Sequence, residues 1–395
     1  MSAPLAGLRV VELARVLAGP WIGQTLADLG ADVVKVEAPE GDETRRWGPP
    51  FVHAADGAQL DAAYFHACNR GKRSVVADLR DAEQRALVRR LIERADVVIE
   101  NFRTGGLARF GLDYATLAAH HPRLVYCSIT GFGQTGPYAG RAGYDAIVQG
   151  MCGLMDLTGE PDGAPQKIGV ALVDIMTGLY GTIAIQAALA QRAHSGRGQH
   201  LDLALFDVGA AVLANQALNY LVSGEVPRRL GNAHPNIVPY QSFAAADGHL
   251  MLAVGNDAQF RRLCEVLGRP QIAADARYAD NAARVRERAV LVPALSALIA
   301  AWRRDALLER LEAAGVPAGP INTVAEVFRD PQILHRKLLH ELAAPELAGG
   351  RVPSVRTPIG FSAAQLMLGR PAPRLGQHTA EVMAEWSAPA APPEC

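Results

Sequence analysis

The feature that most restricts this chain is the alternation, across its first 130 residues, of short β-branched apolar runs with stretches of helical periodicity. The runs at 8–13, 32–37, 74–79, 96–100 and 124–130 are apolar on both faces, as strands buried inside a parallel sheet are. Helical patterns fill the gaps, the clearest at 81–94, where Leu87, Leu91 and Ile92 share a side and the charged residues lie elsewhere. Strand and helix in strict alternation predict an α/β fold built on a parallel sheet.

The stretch 143–192 is helix-rich and poor in charge, and VALVDIMTGLYGTIAIQAALAQRAHSG reads as one long buried helix closing at Ser195-Gly196. A strand at 200–205 and a helix to about Leu221 follow. SGEVPRRLGNAHPN, rich in Gly, Pro and polar residues, then reads as a linker. These signals place a large domain at 1–222 and a linker with a small domain at 223–330. The small domain holds a hairpin (240–245 and 249–254, turning at Asp247-Gly248) and helices near 258–267, 285–302 and 305–314. The segment 331–395 has scattered Pro and Gly and no firm periodicity before LGQHTAEVMAEW. It is expected to own no core, to return to the large domain, and to fray at 387–395.

Charge and cysteine content narrow the partners. With 39 basic and 40 acidic residues, the chain lacks the cationic surplus that nucleic acid or an anionic membrane recruits. Cys68, Cys127, Cys152, Cys264 and Cys395 are far apart, odd in number and form no CxxC pair, which fits a reducing, cytoplasmic setting better than a disulfide framework. Arg9 and Arg15 interrupt the apolar N-terminal run, so it reads neither as a signal peptide nor as a membrane span. Walker loop, GxSxG elbow and HExxH helix are all missing.

Four features invite a chemical reading. GFGQTG at 131–136 matches GxGxxG, but Pro137 to Gly140 continue as loop where a dinucleotide fingerprint needs a helix, so it reads as a glycine loop, empty or closely approached by a ligand. His120-His121 precede Pro122 at a helix end and read as surface, and no metal site is expected. Lys72, Arg73, Arg80, Arg103 and Arg109 fall near strand ends, where a parallel sheet receives ligands, and as a group suit phosphates. Asp174 stands out. Flanked by Ala171, Leu172, Val173, Ile175 and Met176, it is an ionisable group in apolar surroundings, suited either to capping the long helix or to nucleophilic chemistry.

In order, RVVELARVLAGPWIGQTLADLGADVVKVEAPEGDETR, NRGKRSVVADL, ADVVIENFRTG, SITGFGQTGPYAGRAGYDAIVQG and GVALVDIMTGLYG closely resemble the signature segments of class III CoA-transferases, the formyl-CoA and carnitine CoA-transferase family. GNAHPNIVPYQSF and LGQHTAEV extend the resemblance over nearly the whole chain. It implies a Rossmann-like, CoA-binding large domain and a smaller α+β domain, with two ring-like subunits interlocked as a homodimer. It puts Asp174 at the nucleophile position, attacking an acyl-CoA thioester and passing through an aspartyl-CoA thioester to a carboxylic acid acceptor. CoA thioesters are then substrates, and no cofactor is permanently held.

By the same resemblance, Leu17, Ala18, Asp78, Leu79, Arg80, Asn101, Phe102, Arg103, Arg109, Tyr144 and Asp145 line the CoA site, with Arg80, Arg103 and Arg109 on its phosphates. Formyl-CoA transferases carry Gln where this chain has Leu17, and a tetraglycine loop not found here, which argues against formyl or oxalyl substrates. The stretch 143–179 looks most like the dicarboxylate-using branch, with succinyl-CoA as donor. Three rivals are an α-methylacyl-CoA racemase, which places His where this chain has Tyr144, a nicotinamide dehydrogenase, and a noncatalytic acyl-CoA-binding protein.

Overall fold

The computed structural model describes residues 2–387, so Cys395 and nearly all of the segment expected to fray lie outside the described residues. The chain separates into two compact units. One comprises residues up to 154, 168–217 and 332 onward; the other comprises 155–167 and 218–331.

The first unit is built on six parallel strands: β1 (Arg9–Glu12), β2 (Asp32–Glu37), β3 (Arg73–Val76), β4 (Val97–Glu100), β5 (Val125–Thr130) and β6 (His200–Ala204). Their spatial order is β3-β2-β1-β4-β5-β6, with Val10 opposite both Val33 and Val97. The order reverses between β1 and β4, the switch point of a doubly wound sheet. Successive side chains alternate between two cores. Val10, Val33, Val97 and Val125 pack with Ile22, Leu26 and Ile185 on one face. Val11, Val34, Val75 and Val98 pack with Val88, Leu91, Ile92 and Trp386 on the other. Both faces are covered, which is why the strands read as continuous apolar runs.

Helix α1 (Ala18–Asp28) follows β1, and α2 (Ala82–Glu93) starts at Asp81, whose carboxylate accepts the Gln84 amide at 2.9 Å. A short α3 (Asp145–Met151) precedes α4 (Leu172–Ser195), the long helix, which ends where Gly196 at φ 71° donates to the Arg192 carbonyl. By length and composition α4 would cross a bilayer. Instead, one face rests on α1: a Cβ at Gly178 would lie 2.9 Å from the Trp21 Cβ, and one at Gly181 only 2.3 Å from the Ile22 Cδ1. The other face is not buried as expected, leaving Leu179, Tyr180 and Ile183 exposed. The helix expected from 205 to about 221 is two helices, Leu205–Ala211 and Ala214–Ser223, with Ala214 at φ 47° after the break.

Two basic residues grouped above for phosphate are occupied internally. Lys72 Nζ is fully buried on Glu12, the Asn69 Oδ1 and the Pro20 carbonyl, and Arg73 is held by Asp32, Glu381 and Glu385. Lys72 immediately precedes β3 and Arg73 opens it, and both are spent as counterions inside the protein. The C-terminal segment also differs from its reading. Antiparallel strands Leu339–Ala343 and Arg351–Val355 form a small core of Leu342, Ala344, Leu347 and Val352 against Val52 and Leu60. Each strand buries only one side chain, too weak a pattern to stand out in sequence.

In the second unit, strands Tyr240–Ala245 and Gly248–Ala253 form the expected hairpin and Ala318–Pro320 adds a third strand. Helices Asp257–Val266, Arg288–Ile299 and Arg304–Ala313 supply Phe260, Leu263, Leu291, Leu295 and Leu307 to its core. The single helix expected over 285–302 is broken at Glu287, after Asn281–Arg286.

The tightest joint in the first unit is between α1 and β1. Gly23 lies against the buried Glu12 carboxylate, and a Cβ there would stand 1.8 Å from Oε2. Gly23→Ala must therefore displace Glu12 or α1, and is expected to cost about 2–3 kcal/mol, seen as a lower unfolding midpoint in urea. An unchanged midpoint would show that the joint is not close-packed.

Candidate active site

At the carboxyl ends of β1, β4 and β5 the chain opens a cleft of about 270 Å³. Its walls come from the turn after β1 (Arg15 to Ala18), the turn after β4 (Asn101 to Thr104), Gly131 after β5, the 139–144 loop and Asp174. This is the switch point of the sheet, where diverging connections leave a crevice. The GFGQTG loop leads into no helix: it returns so closely that a Cβ at Gly131 would lie 2.6 Å from the Gly143 Cα. Glycines here let two backbones pass rather than cradle a pyrophosphate.

Asp174 is a third-position residue of α4, not its cap. The cap position is Ala171, which has no capping side chain, and the free amides of Val173 and Asp174 donate instead to the Asp145 Oδ1 at 2.8 and 3.2 Å. Asp145 is held in turn by Gln149, whose Nε2 donates to Oδ2 at 2.6 Å and whose Oε1 accepts the Ile168 amide. The capping role left open for Asp174 thus belongs to Asp145, and the Asp174 carboxylate is left to the cleft. Burial, followed by the neighbouring negative charge of Asp145, pushes the Asp174 pKa up to about 7. Its position in the first turn of a 24-residue helix works the other way, favouring the ionised form.

Of the residues singled out by sequence, Leu17, Ala18, Asn101, Phe102, Arg103 and Tyr144 line this cleft together with Asp174. Asn101 brackets the backbone of Arg15, accepting its amide at 3.0 Å and donating to its carbonyl at 2.7 Å. The Phe102 amide donates to Glu100 at 2.7 Å, and burial raises the Glu100 pKa to about 7. The others lie outside the lining. Arg80 is exposed and paired to Asp78 at 2.8 Å, Leu79 packs on the second core, and Arg109 lies over the Phe110 ring.

Sequence reasoning missed several lining groups. Arg15 and Glu43 form an ion pair at 2.6 Å within the cleft, and Arg141 lies over the Tyr138 ring. Tyr64 is near enough to feel Asp174: burial and then the Asp174 charge push its pKa to about 12, and its ring meets Trp47 edge-on at 5.4 Å. Arg15, Glu43 and Arg141 lie inside the matching segments, and that was the available signal. Trp47 and Tyr64 carry no local pattern. The three arginines make this a site for anionic ligands. Among the described residues no group of three His, Cys, Asp or Glu side chains is gathered as metal ligands.

The Asp145 charge is the second cause, after burial, that raises Asp174. In Asp145→Asn the amide oxygen still caps α4, but the like charge is gone, so the Asp174 pKa is expected to fall below 7. Infrared difference titration of the Asp174 carboxyl, identified by its loss in Asp174→Ala, reads the change. No downward movement would mean that burial alone sets the value.

The profile for CoA-transferase family III matches residues 5–379. The chain is 60% identical, over 97% of its length and 95% of the other, to a succinate–glutarate CoA-transferase of Agrobacterium fabrum. It is 42% identical to the mouse succinyl-CoA:glutarate CoA-transferase, over 97% of this chain and 86% of that one. A solved structure of a CAIB/BAIF family protein from Brucella suis superposes with a TM-score of 0.87 at 59% identity, covering 98% of this chain and all of that one. With the α/β sheet, the switch-point cleft and these relatives agreeing, the chain belongs to CoA-transferase family III and is an enzyme of that family, with CoA thioesters as its substrates.

Proposed function

We propose that this enzyme moves CoA from succinyl-CoA to a second small dicarboxylate of glutarate type, with Asp174 as nucleophile. The observation that carries the reading is the 60% identity, end to end, with a succinate–glutarate CoA-transferase. Asp174, a carboxylate in a cleft rich in arginine, supports the mechanism.

The ionised Asp174 attacks the thioester carbonyl, the C–S bond breaks, and a mixed anhydride and CoA thiolate result. The thiolate then attacks the aspartyl carbonyl, releasing the donor acid and leaving an aspartyl-CoA thioester. The acceptor carboxylate retraces these steps and regenerates Asp174. The CoA phosphates are assigned to Arg103, which lines the cleft, and, by the resemblance, to Arg80 and Arg109, which lie outside its lining. Leu17, Ala18, Asn101, Phe102 and Tyr144 shape the entry, Asp78 and Leu79 are carried by the resemblance alone, and Asp145 orients α4.

Asp174→Ala is expected to bind CoA yet lose about 10⁴-fold or more in transfer, read by mass spectrometry of acyl-CoA exchange between succinyl-CoA and a panel of acids. Retained exchange would overturn the covalent mechanism, and exchange only with monocarboxylates would overturn the acceptor class. Loss of CoA transfer with α-proton exchange intact would favour the racemase reading. A cytoplasmic setting fits Cys68, Cys127, Cys152 and Cys264, all buried as free thiols.

A homodimer accounts for the exposed apolar face of the first unit, where Ile147 and Met151 of α3 and Leu179, Tyr180 and Ile183 of α4 are each more than 40% exposed. Ile183→Glu is expected to shift the sedimentation coefficient from dimer to monomer. A wild-type monomer would remove the assignment.

A further inference from the structure

Val16 occupies a conformation that its side chain resists. At φ 70° it lies in the left-handed region, which a β-branched residue almost never enters without a compensating hold. Among the described residues, the other non-glycine residues with positive φ are Ala214 and Lys337, neither of which lines the cleft. Val16 sits in the turn that carries β1 into α1, immediately before Leu17 and Ala18.

Three segments distant in sequence grip that turn. The Val16 amide donates to Asp42, at 3.2 Å from Oδ2 and 3.4 Å from Oδ1. The Cys68 thiol reaches the Val16 carbonyl at 3.5 Å, and Asn101 meets both backbone groups of Arg15. Asp42 is itself fixed. It is 1% exposed, accepts the Thr44 amide and hydroxyl at 3.0 and 2.8 Å, and pairs with Lys35 at 2.9 Å. Lys35 is wholly buried and also binds Glu12 and the Ala14 carbonyl, so one ammonium group anchors both ends of the turn. Burial alone would drive Lys35 neutral, but the charges of Glu12, Asp42 and Glu37 outweigh it and raise its pKa.

We infer that Asp42, held by Lys35, is a positioning residue for CoA transfer. It grips the Val16 amide and keeps the turn in its strained form, fixing the cleft wall of Val16, Leu17 and Ala18 that Asp174 shares. The inference rests on the assignment of this cleft as the transfer site. Without the grip, Val16 is free to return to negative φ, moving the wall and the start of α1.

A double-mutant cycle tests this directly. Asp42→Ala is expected to lower kcat for succinyl-CoA exchange about 10–100-fold, the scale of a misplacement near 1 Å. Val16→Gly alone sets the reference kcat against which the double variant is read, because glycine enters the same conformation without strain. The combined Asp42→Ala/Val16→Gly enzyme is expected to recover most of the lost kcat. A merely structural Asp42 predicts no such rescue, since glycine replaces none of its bonds. Should Asp42→Ala fail to fold, Asp42→Asn enters the same cycle. Wild-type kcat in the Asp42 variant, or a double variant as slow as the single one, overturns the inference. Failure of the wild-type protein to exchange CoA at all would instead overturn the assignment of function.

Discussion

A single carboxylate buried between two ammonium groups organises the ligand-binding end of this sheet. Glu12, the last residue of β1, takes Lys35 from β2 and Lys72 from the segment entering β3. All three are wholly buried, so removing one partner would leave charge without solvent, a cost of about 3–5 kcal/mol. Around this triad the polar contacts spread outward. Lys35 continues to Asp42, Lys72 to Asn69 and the Pro20 carbonyl, and Glu37 to Arg45 and Ser74. Gly23 makes room for the carboxylate, tying α1 to the same point. A parallel sheet supplies apolar surface generously but little that dictates where its connections go. These buried charges do, by fixing the turn after β1 and the segment after β2.

The opposite wall of the cleft is fixed by a different carboxylate. Asp145 supplies the acceptor that the free amides at the start of α4 need, and in doing so places one negative charge beside another. Capping and pKa are thus one interaction. Were Asp174 itself the cap, its oxygens would point at backbone amides, its pKa would sit low, and it would be poorly placed to meet a ligand.

The sheet was legible because burial on two faces writes itself as unbroken β-branched runs, and each run from 8 to 130 corresponds to a strand. Asp174 was legible too, as a charge among apolar neighbours. What sequence does not encode locally is which partner a charge finds. Lys72 and Arg73 read as ligand cations and proved to be internal counterions, while Arg15, read only as a break in an apolar run, and Arg141 were not singled out as cleft cations. Asp145 and Asp174 are 29 residues apart, so nothing local shows that one caps the helix and frees the other. Val16 gives no sign of its strained backbone, since valine is the last residue that φ 70° would suggest.

The proposed mechanism asks Asp174 to be both nucleophile and leaving group. A CoA thiol ionises near pH ~8.5, as thiols do, whereas an ordinary aspartate is a far weaker base. An aspartate of that kind would be expelled readily from the anhydride, but would attack a thioester reluctantly. Burial beside Asp145 brings Asp174 to about 7, narrowing the gap between the carboxylate and the thiolate with which it would trade places in that mechanism. The same burial would keep water from the proposed anhydride, so that the acyl group would pass to thiolate or carboxylate rather than to solvent. The cost is that part of the enzyme is protonated at neutral pH. The first turn of α4 offsets this, because its positive end favours the ionised form where the bond must form.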